Sequence, residues 1–241
     1  MVCLKRKISY VLFLLIVALI IVIINNNFFS RIEDKDKLME IPDRTFRRRP
    51  IKNIISNKVI IIGDSRMEFL YNRGNSIKIP SNFSFIALGG TKINWFENDA
   101  LKKLDLKLKN MDKKYQYHVV INMGVNDLND LKKAKTHADN YFYLLDKLVF
   151  KYSNVDFYFL SVNPIDDRII NRIHIPQYRT TDKINDFNSE MIRLIDKENH
   201  SNLFYCNSYD SIDFGIPDGL HYDKDTDQRI VDYIVNDCVR Y

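Results

Sequence analysis

The sequence predicts an α/β fold: a doubly wound, flavodoxin-like parallel sheet of five strands in a three-layer α/β/α arrangement, preceded by one N-terminal transmembrane helix. Three observations lead there. Past residue 50, five short runs rich in β-branched and aromatic residues alternate with longer segments of helical spacing. Each run is nearly continuous in apolar residues, as strands covered on both faces are. Ahead of them stands one long uncharged apolar stretch.

That stretch comes first in the chain. Lys5-Arg6-Lys7 precedes ISYVLFLLIVALIIVII, residues 8–24, which has no charge, Gly or Pro. A bilayer crossing takes about 17–25 apolar residues. A cleaved signal peptide has a shorter apolar core ending in small residues. Here the run leads instead into Asn25-Asn26-Asn27-Phe28-Phe29, with no cysteine for lipid attachment. An uncleaved anchor is expected. The dense basic cluster before it, against the diluted Arg31, Lys35 and Lys37 after it, places the N-terminus inside and the main domain outside. Residues 1–24 are thus a basic cytoplasmic tail and anchor, and 25–50 a charged stalk ending in Arg47-Arg48-Arg49-Pro50. The stalk reads as a solvated linker or as a contact for anionic lipid heads or wall polymer. Residues 51–241 form the catalytic domain.

Composition bounds the rest. The chain has 241 residues, 46% of them apolar, enough for one full α/β domain with its own core. A formal charge of +5 spread over many acids and bases points to no nucleic-acid partner. Of three cysteines, Cys3 precedes the anchor, and Cys206 and Cys238 are free to pair or not. So few cysteines make no disulfide framework.

The strand runs are KVIIIGD (58–64), FSFIALGG (83–90), YHVVINMG (117–124), VDFYFLSVN (155–163) and NLFYCN (202–207). Helical spacing follows Ser65 and fills 94–111, 130–152, 182–199 and 223–239. In such sheets ligands bind beyond the C-terminal strand ends. There stand Asp64-Ser65, Gly89-Gly90, Gly124-Val125-Asn126-Asp127 and Ser161-Val162-Asn163-Pro164, with Asp218-Gly219-Leu220-His221 before the last helix. Singly, each has a plain structural reading: Ser65 as a helix cap, the glycines and Asn126-Asp127 as turns, His221 as a surface histidine. Together they are the parts of a serine acyl-transfer site.

These residues resemble the SGNH hydrolases, the GDSL esterase/lipase family. Gly63-Asp64-Ser65 matches the first block, with Arg66 where the family name has Leu; Leu88-Gly89-Gly90 the glycine block, with Gly90 the better match; Gly124-Val125-Asn126-Asp127 the G-x-N-D block; and Asp218-Gly219-Leu220-His221 the D-x-x-H block. They occur in family order over about residues 57–241. The single span before an external domain resembles membrane-anchored Gram-positive members. The resemblance implies Ser65 as nucleophile, His221 as base and Asp218 as its orienter. It implies an oxyanion hole of the Ser65 N–H, the Gly90 N–H and the Asn126 side chain. A glycine at 90 would let the backbone approach the oxyanion with no Cβ in the way. Asp64 and Asp127 are read as braces of their turns. No cofactor and no metal are expected.

Two motifs of other hydrolytic sites do not fit. Ser65 lacks the second glycine of G-x-S-x-G, and no P-loop occurs. His118, His137 and His200 are read as structural. Arg66, Asn163 and His174 are candidate substrate contacts. The last lies in a long loop over 163–181 that also offers Arg168, Arg172 and Arg179 to an anionic substrate, or else is simply a solvated basic loop. The expected function is an outward-facing, membrane-anchored serine esterase or O-acyltransferase. Its substrate would be an acylated small molecule or, by preference, an O-acetylated cell-surface carbohydrate. The alternatives are a non-catalytic carbohydrate-binding module on the same fold, and a metal-dependent phosphoesterase using Asp64, Asp127, Asp218, His221 and Asp223.

Overall fold

Val59 and Ile61 point to one face of their strand and Ile60 and Ile62 to the other, and all four are buried. This is why the run reads as continuously apolar: a layer of helices covers each face of the sheet. The structure, a computed structural model, describes residues 57–173 and 177–239. The expected anchor and stalk fall outside these residues, as does His174.

Five strands form one sheet: β1 (Asn57–Gly63), β2 (Phe83–Ala87), β3 (Gln116–Asn122), β4 (Val155–Leu160) and β5 (Leu203–Cys206). Their order is β2-β1-β3-β4-β5, and every pairing is parallel. In register, Gly63 at the end of β1 stands opposite Ala87 of β2 on one side and Asn122 of β3 on the other. The chain therefore winds outward to β2, returns across β1 and continues through β3. The reversal opens a crevice between the C-terminal ends of β1 and β3.

The helices are α1 (Ser65–Asn72), α2 (Ile93–Trp95), α3 (Leu101–Lys109), α4 (Ala134–Lys151), α5 (Asp167–Ile173), α6 (Thr181–Glu198) and α7 (Lys224–Tyr233). A π-helical turn, Phe96–Ala100, joins α2 to α3, and another, Ile234–Cys238, extends α7. One core packs Ile60, Ile62, Val119, Ile121, Phe157 and Phe159 beneath α3, α4 and α6. The other packs Val59, Ile61, Val120, Tyr158 and Leu160 beneath α1 and α7. Each such fully buried side chain contributes about 1.5–3 kcal/mol over leaving it exposed. The parallel three-layer sheet agrees with the expectation from sequence.

Two boundaries differ from it. The strands stop short of the small residues at their ends, because Gly90 (φ 70°) and Gly124 (φ 123°) turn the backbone out of the ladder. And 163–181 is not one long loop. Asp166 Oδ1 accepts from the N–H groups of Arg168 and Ile169 and starts α5, which buries Ile170. One buried residue on a short helix leaves almost no periodic signal to read.

Cys206, at the end of β5, is bonded to Cys238 after α7 and so ties the last helix to the sheet edge. Replacing both by serine is expected to lower unfolding free energy by about 2–4 kcal/mol, measured by urea denaturation of the full-length chain. An unchanged midpoint would show that the cross-link contributes nothing.

Candidate active site

The site begins with a helix start. Asp64 is the N-cap of α1, its Oδ1 accepting from the Arg66 N–H at 3.1 Å, so Ser65 is the first helical residue. Its own N–H is one of those a helix start leaves without an intrahelical partner. Ser65 thus sits at the C-terminal edge of β1, presenting a hydroxyl and an N–H together. Burial pushes the Asp64 carboxyl up, against the opposing pull of the Arg66 charge and N–H.

The histidine comes from the loop between β5 and α7. Asp218 Oδ1 accepts from the N–H groups of Leu220 (2.8 Å) and His221 (2.6 Å), closing a tight turn. Its Oδ2 lies 2.7 Å from His221 Nδ1, and His221 Nε2 lies 2.9 Å from Ser65 Oγ. With Nδ1–H donating to the carboxylate, Nε2 is left to accept from the serine hydroxyl. Partial burial by itself raises Asp218, but the bonds from the His221 ring and the two N–H groups hold it below the ordinary carboxylate value. The turn needs glycine at 219: its φ is 83°, and a Cβ there would stand 2.5 Å from the Ile170 nitrogen. Phe69, one turn past Ser65, meets the His221 ring edge-on at 4.5 Å.

Gly90 and Asn126 stand in the turns that follow β2 and β3. Asn126 Nδ2 donates to Thr91 O at 3.0 Å, which pins the turn after β2 to the turn after β3. Its Oδ1 accepts from Arg179 Nη1 at 3.4 Å. One amide N–H of Asn126 remains for a ligand. Asp127 braces this loop, its Oδ1 accepting from the Ile93 N–H and its Oδ2 from the Tyr141 hydroxyl. At Gly90 a Cβ would touch no protein atom within 4 Å, and the φ of 70° disfavours any side chain.

Two candidate substrate contacts are corrected. Arg66 is 1% exposed and turns away from the crevice. Its Nε donates to Leu220 O (3.1 Å), Nη1 to Asn163 O (2.8 Å) and Nη2 to Pro164 O (3.1 Å), and its guanidinium lies 4.7 Å over the Tyr222 ring. It follows Ser65 by one position, and a helix turns about 100° per residue, which aims it inward. Asn163 is fully buried at the end of β4, its Oδ1 accepting from the hydroxyls of Ser161 and Ser208. Both residues build the crevice wall.

Among the described residues the other histidines are paired within the fold: His118 with Asn57, His137 with Asp130 and His200 with Asp146. Asp223 caps α7 by accepting from the Thr226 N–H. Asp64, Asp127 and Asp223 are therefore each committed to a different helix or loop, and among the described residues no three acids, histidines or cysteines cluster as metal ligands.

No model of a known protein family matches the sequence, and no curated protein does. The likeness is in the fold. A Streptococcus pneumoniae protein provisionally described as a platelet activating factor superposes with a TM-score of 0.58 at 16% identity, over 76% of this chain and 85% of its own. Est24, a carbohydrate acetylesterase from Sinorhizobium meliloti, gives 0.52 at 14%, over 74% and 98%. A GDSL-like lipase from Bacteroides thetaiotaomicron gives 0.50 at 15%, over 75% and 85%. The chain has the fold of the SGNH hydrolases.

Sequence reasoning missed the inward role of Arg66 and the Arg179–Asn126 contact. The one available signal was an arginine where the family motif carries an apolar residue. Arg66→Leu would leave three carbonyls without their charged donor. It is expected to cost about 3 kcal/mol or more in a urea melt and to slow fluorophosphonate labelling of Ser65 in protein that remains folded. Wild-type values for both would show that the clamp is dispensable.

Proposed function

We propose that this chain is a serine acyl-ester enzyme, anchored in a membrane by residues 8–24 and facing outward, that removes or transfers O-acetyl groups of a cell-surface carbohydrate. One observation carries the reading: Ser65 Oγ, the His221 ring and Asp218 form a continuous relay at 2.9 and 2.7 Å, at the sheet edge where β1 and β3 diverge.

The chemistry follows from that geometry. As Ser65 Oγ bonds to the ester carbonyl carbon, its proton passes to His221 Nε2. Asp218 holds the ring in the needed tautomer and stabilises the imidazolium. The carbonyl π electrons move onto oxygen, where the Ser65 N–H, the Gly90 N–H and the free Asn126 N–H would meet the developing charge. Collapse expels the alcohol, which takes the proton from His221, and leaves the acyl group on Ser65. Water then regenerates the serine in a hydrolase; a sugar hydroxyl does so in a transferase. Both share the first half-reaction.

Three further facts support parts of this reading. The fold is shared with a carbohydrate acetylesterase. The Cys206–Cys238 disulfide suits an oxidising compartment outside the cytoplasm. Lys5-Arg6-Lys7 before the apolar run suits an outward domain.

The test uses the full-length chain purified in detergent, 4-nitrophenyl acetate and a fluorophosphonate. Ser65→Ala and His221→Ala are expected to lower kcat by about 10⁴-fold or more, and Ser65→Ala to abolish labelling. Asn126→Ala is expected to lower kcat by about 10²–10³-fold with little change in KM. Turnover that persists in either triad variant would overturn the assignment. Inertness of folded wild-type protein to both reagents, with glycan binding retained, would make it a binding module.

A further inference from the structure

Arg179 lies just before α6, where Thr180 caps the helix. It is 7% exposed and reaches Asn126, itself 8% exposed. Its partners are few. Nη1 reaches Asn126 Oδ1 at a long 3.4 Å, and Nε is buried with no hydrogen-bond partner. Among the described residues no carboxylate lies within ion-pair distance of it. The contrast with other arginines is clear. Arg73 pairs with Asp227, Arg168 with Asp166 and Arg193 with Glu190. Arg66, equally buried, spends its donors on three carbonyls.

A buried cation with no carboxylate in contact is costly, and natural structures rarely keep one idle. Burial and the nearby Arg66 charge push Arg179 down to about 10, against the weaker pull of the Asp64 carboxylate, which leaves it cationic at neutral pH. Orienting Asn126 does not account for it, since a neutral donor would hold the amide oxygen as well. The planar guanidinium has most of its N–H donors unspent, in a fork that matches a carboxylate. A single unpaired cation balances a single negative charge.

We infer that Arg179 forms an anion subsite beside Asn126, which selects acyl esters of acidic sugars by binding the sugar carboxylate. This rests on the reading of Ser65 as the acyl-accepting serine, and it adds the charge of the substrate. A ligand that reaches Ser65 and Asn126 lies next to the guanidinium, so the carboxylate would sit close to the scissile ester.

The probes are a mono-O-acetylated methyl galacturonoside and the methyl ester of its carboxyl group, which differ in one charge. With full-length wild-type protein, kcat/KM for the acid is expected to exceed that for the ester by about tenfold or more. In Arg179→Gln the value for the acid falls and the ratio drops towards one; Arg179→Lys, which keeps the charge but not the fork, holds an intermediate ratio. A wild-type ratio near one, or a ratio unmoved by Arg179→Gln, would overturn the inference. Calorimetric binding of both probes to Ser65→Ala separates it from the catalytic reading. If wild type hydrolyses neither probe but Ser65→Ala binds the acid selectively, and Ser65→Ala/Arg179→Gln does not, the subsite stands and the esterase reading falls. Equal binding of the two probes, or none, overturns the subsite whatever the turnover.

Discussion

The geometry of the crevice depends on one buried side chain. Ser65 and His221 are 156 residues apart in sequence, yet their reacting atoms stand 2.9 Å apart. Arg66 makes this possible. It leaves α1 directly after Ser65, grips the Leu220 carbonyl next to His221, and in the same fork grips Asn163 and Pro164 beyond β4. Tyr222 closes the clamp by lying under the guanidinium and donating its hydroxyl to Pro164 O. A planar group with fixed donors sets the distance between two loops more narrowly than apolar packing would, because its hydrogen bonds are directional.

The clamp also explains the polarity of the crevice. Arg66 spends its hydrogen bonds on carbonyls rather than on a carboxylate, so its charge contributes to the potential around Ser65. It pulls against the burial that pushes the Asp64 carboxyl up. Arg179 adds a second buried cation close enough to feel the Arg66 charge. A site that must stabilise an oxyanion gains from such a field, provided that the donors are held in place beforehand. Asn126 is so held, between Thr91 O and Arg179.

Much of this was legible in the chain. The parallel sheet followed from apolar runs such as Val59–Ile62, since burial on both faces removes polar alternation. The meeting of Ser65 with His221 was legible as a serine at the end of a strand and an Asp-x-x-His before the last helix. Asp166, by contrast, starts a helix that buries one residue, too little for a pattern. Arg66 and Asn163 read as crevice residues because proximity in sequence to Ser65 and to a strand end says nothing about which way a side chain faces. Gly90 has a left-handed backbone (φ 70°), a requirement that residue type hints at and only the structure displays.

Local sequence thus determined whatever is encoded in spacing and residue type: strand runs, helix starts, the order of the chemical groups along the chain, and an Asp218-x-x-His221 turn short enough to close on itself. Tertiary structure decided which of those groups share a crevice, which arginine clamps and which is left unpaired, and which cysteines meet. These depend on contacts between segments far apart in the chain. The free energy of each such contact is set by the burial and the partners found only once the sheet has assembled.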